Sequence, residues 1–517
     1  MSALAQGAEV PEDFKILLTA QEAFPEQERL FLSARSEVVL CFRIFDPWTR
    51  LTSDAAKAIG THWFDLLAHT LRRGVRVTIT VSDFDPIVRA EDHQHSWATL
   101  RALIAAGEAS GRPDLLKTKA SMHPARVGLL PCLTLWPRTY QELRKTVARV
   151  NRLSSAKHER FLEETSFLRR HLQVKDGAVR ARIWPIPRLI PATHHQKLAV
   201  FDGQQLYIGG LDLNDRRYDT PEHHQDAAET WHDLQVSLSA PEAEDALAHL
   251  HSFEAVTRGA PPPKLTHLLR TLSRRRTRSS FALSPEPCVD ELAQAHWQGA
   301  TDAQTLIYME SQYFRDRRFA RHLAAQARSK PNLRMMLILP AAPDDVAFED
   351  DPGSDARYGE YLQAKSVAII REAFGHRLFI GSPAQQRPSR EGGRAALYGA
   401  PLIYLHAKVS IFDQSSAIVS SANLNGRSLS WDTEAGVELS DLAHVHVLRQ
   451  RCFDHWLGAG SDDAHFDIDT AQPLWAARAR QNAQTSPADR TGFLLPYVSR
   501  AARRFGRNLP GIPEEMV

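Results

Sequence analysis

Two segments of the chain carry the same three chemically active residue types at the same spacing. Each has a histidine, a lysine two positions later and an aspartate seven positions after the histidine: His195, Lys197 and Asp202, then His406, Lys408 and Asp413. An imidazole can attack a substrate or carry a proton, and a lysine held nearby stabilises negative charge. The repeat therefore predicts one site in which two histidines act on a phosphate group.

Both segments are expected to be buried strands that present histidine and lysine together, because side chains at i and i+2 share a strand face. The positions between and after them are apolar, as in strands covered on both faces: Leu198, Val200, Val409 and Ile411. Asp202-Gly203 predicts a hairpin turn, and residues 413–416 lie at the equivalent bend. Each aspartate has the opposite parity to its histidine, which favours a structural role for the aspartate.

The surrounding sequence predicts two similar α/β sandwich lobes, each with a mixed sheet flanked by helices. Strand, helix and strand patterns follow one another at 38–45, 55–72 and 75–81, and again at 305–314, 316–329 and 333–339. Such alternation is typical of α/β folds. We therefore expect each lobe to contribute one histidine motif to a shared site.

The predicted domains are an N-terminal lobe at 1–258, a linker at 259–280, a second lobe at 281–470 and a tail at 471–517. The N-terminal lobe is expected to contain a helical insertion at about 87–173. Five arginines between Arg270 and Arg278 are expected to face water, with contact to anionic lipid head groups as the alternative.

Composition argues against a nucleic-acid-binding protein, a disulfide framework and a zinc site. A formal net charge of +2 with 24% charged residues gives no global reason to bind nucleic acid. Four scattered cysteines fit reduced thiols better than a disulfide framework or a zinc site. The sequence shows no leader pattern and no window of membrane-spanning length, so we predict a cytoplasmic protein, with peripheral contact to a membrane left open. We also expect a monomer.

The residue pattern resembles the phospholipase D superfamily, and within it the phospholipase D enzymes proper. The resemblance covers about 38–439 and rests on both histidine motifs and on four further segments: Thr193-His194-His195-Gln196-Lys197, Gly209-Gly210-Leu211-Asp212-Leu213, Trp231-His232-Asp233 and Met309-Glu310-Ser311-Gln312-Tyr313-Phe314. Two positions depart from the family pattern. Ser420 stands where the family often has glycine, and Asp212 stands where many bacterial members have asparagine.

The resemblance implies roles for individual residues. His195 would be the nucleophile and His406 the general acid and base, with Asp233 and Glu434 orienting the two imidazoles. Lys197, Lys408 and Asn423 would contact phosphate oxygens. The site prediction also includes Asp202 and Asp413 as motif members, and Gln312, Ser421 and Gly210 as substrate-binding residues. No metal or cofactor is predicted, and His223, His224 and His232 are interpreted as surface or loop histidines.

The main functional hypothesis is cleavage of a phospholipid to phosphatidic acid and a head-group alcohol through a phosphohistidine, with transfer to alcohols. Cardiolipin synthase-like phosphatidyl transfer and a nuclease of the same superfamily are the alternatives within this chemistry. A binding protein with a silent site is a further alternative, which the intact motifs disfavour. Among partners, a phospholipid substrate and a membrane surface are expected, and nucleic acid is not.

Overall fold

The computed structural model describes residues 14–276, 280–348, 353–458 and 460–517. Arg278 of the arginine run and residues 1–13 lie outside the described residues. The strands are β1 (Lys15–Leu18), β2 (Glu37–Phe42), β3 (Arg76–Asp83), β4 (Leu116–Met122), β5 (Leu172–Lys175), β6 (Ala178–Ala181), β7 (Leu198–Phe201), β8 (Gln205–Gly209), β9 (Leu234–Leu238), β10 (Leu269–Arg274), β11 (Glu286–Asp290), β12 (Leu306–Glu310), β13 (Arg334–Ile338), β14 (Leu378–Pro383), β15 (Ala396–Leu397), β16 (Ala400–Pro401), β17 (Val409–Phe412), β18 (Ser416–Ser420), β19 (Glu434–Leu439) and β20 (Leu494–Pro496).

Helices flank these strands throughout the described chain. The α-helices are α1 (Thr19–Ser33), α2 (Asp54–Lys57), α3 (Trp63–Arg72), α4 (Ala90–Ala109), α5 (Leu129–Val150), α6 (Ser155–Glu164), α7 (Glu242–Thr257), α8 (Glu291–Asp302), α9 (Arg317–Ser329), α10 (Asp344–Phe348), α11 (Ser354–Phe374), α12 (Gly426–Ser430), α13 (Leu442–Leu457), α14 (Ala471–Gln484) and α15 (Ser499–Phe505). None of the helices in the described ranges combines the length and apolar character needed to cross a bilayer.

Two mixed sheets form the centre of the molecule and repeat the same strand order. The first sheet runs β1-β9-β8-β7-β2-β3-β4, and the second runs β11-β10-β19-β18-β17-β12-β13-β14-β20. In each sheet three neighbouring strands are parallel, β2-β3-β4 and β12-β13-β14, and the remaining pairs are antiparallel. This architecture confirms the predicted fold class.

Strand alternation explains how the sheets are layered. In β2, Val39 and Cys41 join a core cluster shared by both sheets, whereas Val38, Leu40 and Phe42 join a second cluster under α1 and α3. The second sheet repeats this pattern, with its other face packed under α9 and α11. Because side chains alternate along a strand, each sheet buries one face against its partner lobe and the other against helices.

Several predicted boundaries require correction. The helix expected at 55–72 is interrupted between α2 and α3, where the Asp65 carboxylate accepts the backbone N–H groups of Thr61 and His62 and so caps α3. A side chain at Gly60 would collide with Asp65, since an added Cβ would lie 2.2 Å from the Asp65 Cβ. The insertion at 87–173 is also not purely helical, because β4 pairs with β3 and extends the first sheet.

The predicted linker and tail are likewise parts of the second sheet. Strand β10 lies within 259–280 and pairs with β11 and β19, and β20 lies within 471–517 and pairs with β14. Arg270, expected to face water, is 1% exposed and forms an ion pair with Glu291 at 2.6 Å. The apolar residues on both sides of Arg270 place it in a strand, which the charge run alone did not indicate.

Candidate active site

The motif histidines lie immediately before the strands that were predicted to carry them. Strand β7 begins at Leu198 and β17 begins at Val409, so each histidine and lysine belongs to a segment that approaches the other half of the chain. The backbone N–H groups of His195 and Gln196 both donate to the Thr433 carbonyl, at 2.8 and 2.9 Å. The prediction that the histidines lie within the strands is therefore wrong, because these backbone groups pair outside the sheet.

The second motif makes the same crossing in the opposite direction. The N–H groups of His406 and Ala407 donate to the His232 carbonyl, at 2.7 and 3.1 Å. Each half of the chain thus supplies the carbonyl that holds the histidine segment of the other half. This reciprocal arrangement places both histidines at the junction of the two lobes.

Each motif histidine is paired with a carboxylate from the opposite half. His406 Nδ1 lies 2.6 Å from Asp233 Oδ2, and His195 Nδ1 lies 3.0 Å from Glu434 Oε1. Both carboxylates are fully buried. A carboxylate that accepts from Nδ1 fixes the tautomer of the imidazole and leaves Nε2 for substrate chemistry.

Both motif lysines are buried beside the histidines. Lys197 and Lys408 are 0% and 4% exposed, and the Nζ of each donates to the backbone carbonyl of its own motif histidine. Lys197 Nζ also lies 3.7 Å from Asp212 Oδ2, and Lys408 Nζ lies 2.8 Å from His406 Nδ1. Two desolvated ammonium groups beside two imidazoles form a strong attraction for an anionic phosphodiester.

Burial shifts the pKa values of the two motif histidines, of Lys408 and of Glu434. Burial, followed by the nearby lysines, holds the pKa of His195 and of His406 well below the usual histidine value. Burial also lowers the pKa of Lys408 to about 7 and raises the pKa of Glu434 to about 7. The imidazoles are therefore neutral before substrate binds, as a nucleophile requires.

The two motif aspartates hold the hairpins in place. Asp202 accepts the backbone N–H groups of Arg35, Ser36 and Glu37 at 2.7–3.0 Å, and the Asp413 carboxylate makes three equivalent bonds to Gln304, Thr305 and Leu306. Both residues have a positive φ in the turn that follows the motif strand. Their inclusion among the catalytic residues is corrected, since they lie at the far ends of β7 and β17.

The predicted substrate-binding residues form the supports of this site. Asn423 Nδ2 donates to Gln312 Oε1 at 3.2 Å, whereas the Asn423 Oδ1 atom is buried without a hydrogen-bond partner. Ser421 donates its hydroxyl proton to the Glu434 carboxylate. Gly210 leaves room for Asp233, because an added Cβ would lie 2.2 Å from Asp233 Oδ1. Ser421 and Gly210 therefore support the carboxylates that pair with the histidines, and their contact with substrate stays a prediction.

Two arginines near the site were not among the residues predicted from the sequence. Arg43 follows β2 at the position that matches Gln312 after β12, and its charge lowers the pKa of His195 after burial and Lys197. The guanidinium of Arg217 stacks on the Trp231 ring at 3.6 Å, and burial lowers its pKa to about 10. Alignment of the two halves strand by strand would have identified Arg43, whereas Arg217 follows no pattern.

The histidines predicted at the surface are distributed differently. His223 and His232 are 0% and 1% exposed, and only His224 is exposed as expected. His223 donates from Nδ1 to Asp219 and packs against His455 of helix α13, which no local spacing indicated. The surface interpretation is therefore wrong for His223 and His232, because the aromatic residues of a distant helix cover them.

Comparison with known proteins finds similarity to phospholipase D-like proteins. Residues 298–456 match the family model described as "Cardiolipin synthase, PLD-like domain", so the second half carries a phospholipase D-like domain. Phospholipase D beta 2 of Arabidopsis thaliana is 21% identical over 383 residues, which span 50% of this chain and 41% of that protein. The match therefore covers less than half of the length of that relative.

A solved structure extends the similarity to most of the chain. The crystal structure of phosphatidylserine synthase from Haemophilus influenzae Rd KW20 is similar with a TM-score of 0.50 at 14% identity, over 86% of this chain and 87% of that one. This similarity shows a shared fold. Together the family-model match and the Arabidopsis relative support the phospholipase D superfamily.

Proposed function

We propose that the protein is a phospholipase D-type phosphodiesterase. It cleaves a phospholipid into phosphatidic acid and a head-group alcohol, and it transfers the phosphatidyl group to an alcohol when one replaces water. The observation that carries this proposal is the crossed pairing of His195 with Glu434 and of His406 with Asp233, beside two buried lysines. Such a site holds two separately oriented imidazoles against one anionic group.

In the first step, His195 Nε2 attacks phosphorus and forms a phosphorus–nitrogen bond while the bond to the head-group oxygen breaks. His406 donates the proton that the departing alkoxide requires. Lys197 and Lys408 stabilise the charge that builds on the non-bridging oxygens. The bound phosphodiester offsets the lysine charges that depress the pKa of His406, which favours the protonated form of this imidazole.

In the second step, His406 takes a proton from water or from an alcohol, whose oxygen then attacks phosphorus. The phosphorus–nitrogen bond breaks and His195 leaves as a neutral imidazole. Water gives phosphatidic acid, and a primary alcohol gives a new phosphatidyl ester. The Glu434 carboxylate stabilises the positive charge that the His195 ring carries while it is bonded to phosphorus.

Phosphatidyl transfer as the natural reaction is the second candidate. It is favoured by the match of residues 298–456 to a domain described by cardiolipin synthase. The chemistry of the two steps is the same, and the acceptor alone decides the product. The residues that contact phosphate do not distinguish the acceptors.

One assay separates these possibilities. The purified full chain is incubated with phosphatidylcholine or phosphatidylethanolamine vesicles, with and without ethanol or glycerol, and the lipid products are identified by mass spectrometry. We expect phosphatidic acid in water and phosphatidylethanol with ethanol, and neither from a His195→Ala variant. The matched control is His296→Gln, since His296 is buried in α8 and its Nδ1 lies 2.7 Å from the Leu292 carbonyl oxygen.

Particular outcomes of this assay would overturn the proposal. Product formation only with glycerol would establish the transferase instead. Cleavage of a phosphodiester nucleotide with no lipid product would establish the nuclease. Full lipid cleavage by His195→Ala would refute the assigned nucleophile.

A further inference from the structure

Three buried histidines meet behind the second half of the active site. His223, His232 and His455 are 0%, 1% and 9% exposed, and one ring nitrogen of each lies within 4.8 Å of the other two. His223 Nε2 lies 3.1 Å from His455 Nε2. The three residues come from a loop, the segment before β9 and helix α13, so the fold assembles the cluster from distant parts of the chain.

The protonation of His223 is set by Asp219. His223 Nδ1 donates to Asp219 Oδ2 at 2.7 Å, and the same carboxylate oxygen accepts the Trp231 N–H at 2.7 Å. In the neutral ring, Nε2 then carries a lone pair directed at His455. Histidines that bind metals commonly donate their other ring N–H to a carboxylate in this way.

Within the described residues, two buried polar atoms in and beside the cluster have no hydrogen-bond partner. They are His232 Nδ1 and Glu310 Oε2. The other Glu310 oxygen accepts the Tyr308 hydroxyl at 2.6 Å and the Trp456 indole N–H at 3.0 Å, whereas Glu310 Oε2 lies 3.5 Å from His232 Nε2. Among the described residues, no lysine or arginine forms an ion pair with Glu310. Burial of a carboxylate without a lysine or arginine partner is costly unless another cation or a proton neutralises it.

We propose that His223, His232 and His455 bind a divalent transition metal ion, with zinc as the first candidate and Glu310 as the adjacent neutralising carboxylate. Two imidazole nitrogens on a tetrahedral zinc ion at about 2.0–2.1 Å are about 3.4 Å apart, close to the separation of His223 from His455. One ring nitrogen of the third histidine, His232, lies within 4.8 Å of the other two. Burial lowers the pKa of His223 and His455, which keeps both rings in the neutral form that ligates metal.

The position of the cluster gives the ion a positioning role. The His232 carbonyl accepts the backbone N–H groups of His406 and Ala407, and Asp233, the next residue, pairs with the His406 ring. A metal bound to the His232 side chain would therefore fix the segment that aims His406. The inference does not depend on the proposed reaction, because metal binding is measured without substrate.

The test is metal content of the full chain produced with added zinc or cobalt, since a buried ion is taken up as the chain folds. After passage over a chelating resin, we expect one metal ion per chain and, for cobalt, the intense visible absorption of a tetrahedral site. His223→Gln and His455→Gln should lose the metal, whereas His195→Ala and the control His296→Gln should retain it. Wild-type protein without metal, or variants that retain the full equivalent, would overturn the proposal.

Unfolding of the wild-type chain provides a second readout if the variants do not fold. Protein refolded with a chelator and then refolded with zinc should differ in Tm, because a ligand that binds only the folded state stabilises it. The increase should saturate at one equivalent of zinc. An unchanged Tm together with no bound metal would show that the three histidines share protons instead of a metal ion.

Discussion

The two halves of the active site have the same plan but different surroundings. The His195 side chain is 16% exposed and lies 3.0 Å from Glu434, whose carboxylate also accepts the Ser421 hydroxyl. The His406 side chain is 7% exposed and lies 2.6 Å from Asp233. The more open imidazole suits attack on phosphorus, and the more enclosed one suits repeated proton transfer, which is the division of roles we assign.

The two motif lysines also differ in the charged groups that surround them. Lys197 lies 3.7 Å from Asp212, whereas the matching position in the second half is the neutral Asn423. Without a carboxylate at that position, burial lowers the pKa of Lys408 to about 7. Burial lowers the pKa of Lys197 as well, and Asp212 opposes that shift. The comparison teaches that Lys408, in the second half, changes its protonation near neutral pH.

Loss of either histidine has the largest expected effect and separates their roles. His195→Ala and His406→Ala should each reduce hydrolysis of natural phospholipids by roughly 10⁴-fold or more. A substrate with a nitrophenol leaving group needs no proton donor, so His406→Ala should still release one equivalent in a rapid burst. Stopped-flow absorbance measures the burst, and a burst from His195→Ala would reverse the assignment.

The carboxylates are expected to follow in size of effect. Asp233→Asn should reduce kcat by roughly 10³-fold, because an amide at this position favours the wrong tautomer of the His406 imidazole. Glu434→Gln should lose less, since its contact to histidine is longer. Steady-state kinetics at one pH compares the two. Equal losses of kcat would show that the shorter contact between His406 and Asp233 makes no additional contribution to catalysis.

The pH profile tests the difference between the lysines. Activity should fall below about pH 7 as Glu434 takes up a proton and above about pH 7 as Lys408 loses one, which gives a narrow bell. Lys408→Met should reduce kcat by about 10²-fold. Lys408→Arg should move the alkaline limb of kcat to higher pH, because guanidinium stays charged. The same limb position in Lys197→Arg and Lys408→Arg would contradict this assignment.

The smallest effect is expected from the support of Glu434. Ser421→Gly removes a hydrogen bond that lowers the pKa of Glu434, so the acidic limb should move to higher pH. At pH 8 the loss should stay within about tenfold, as for one hydrogen bond of about 1 kcal/mol. The reciprocal change Gly210→Ser should cost more, because its side chain would collide with Asp233. A larger loss of activity from Ser421→Gly than from Gly210→Ser would contradict this expectation.

The sequence predicted the fold because its determinants are local. Apolar strands such as those at Val38 and Leu333, together with the repeated motif, are sufficient to indicate two α/β lobes. Asp233 and Glu434 were also predicted as partners of the histidines, and the structure places them there, although their catalytic roles stay predictions.

What the sequence did not indicate depends on contacts between distant segments. The segment at His195 leaves the sheet because its N–H groups bond to Thr433 across the lobe junction. Arg43 is matched with Gln312 only when the strands of the two sheets are aligned. His455 reaches His223 from helix α13. A one-dimensional pattern carries no signal for these approaches.

Direct trapping of the covalent intermediate tests the central claim. The full-length His406→Ala chain is mixed with a short-chain phospholipid that has a nitrophenol leaving group, quenched in alkali, digested and mapped by mass spectrometry. We predict a phosphatidyl group on the peptide that contains His195, and none in the double variant that also lacks His195. A modified residue elsewhere, or a full burst with no adduct on His195, would contradict the account.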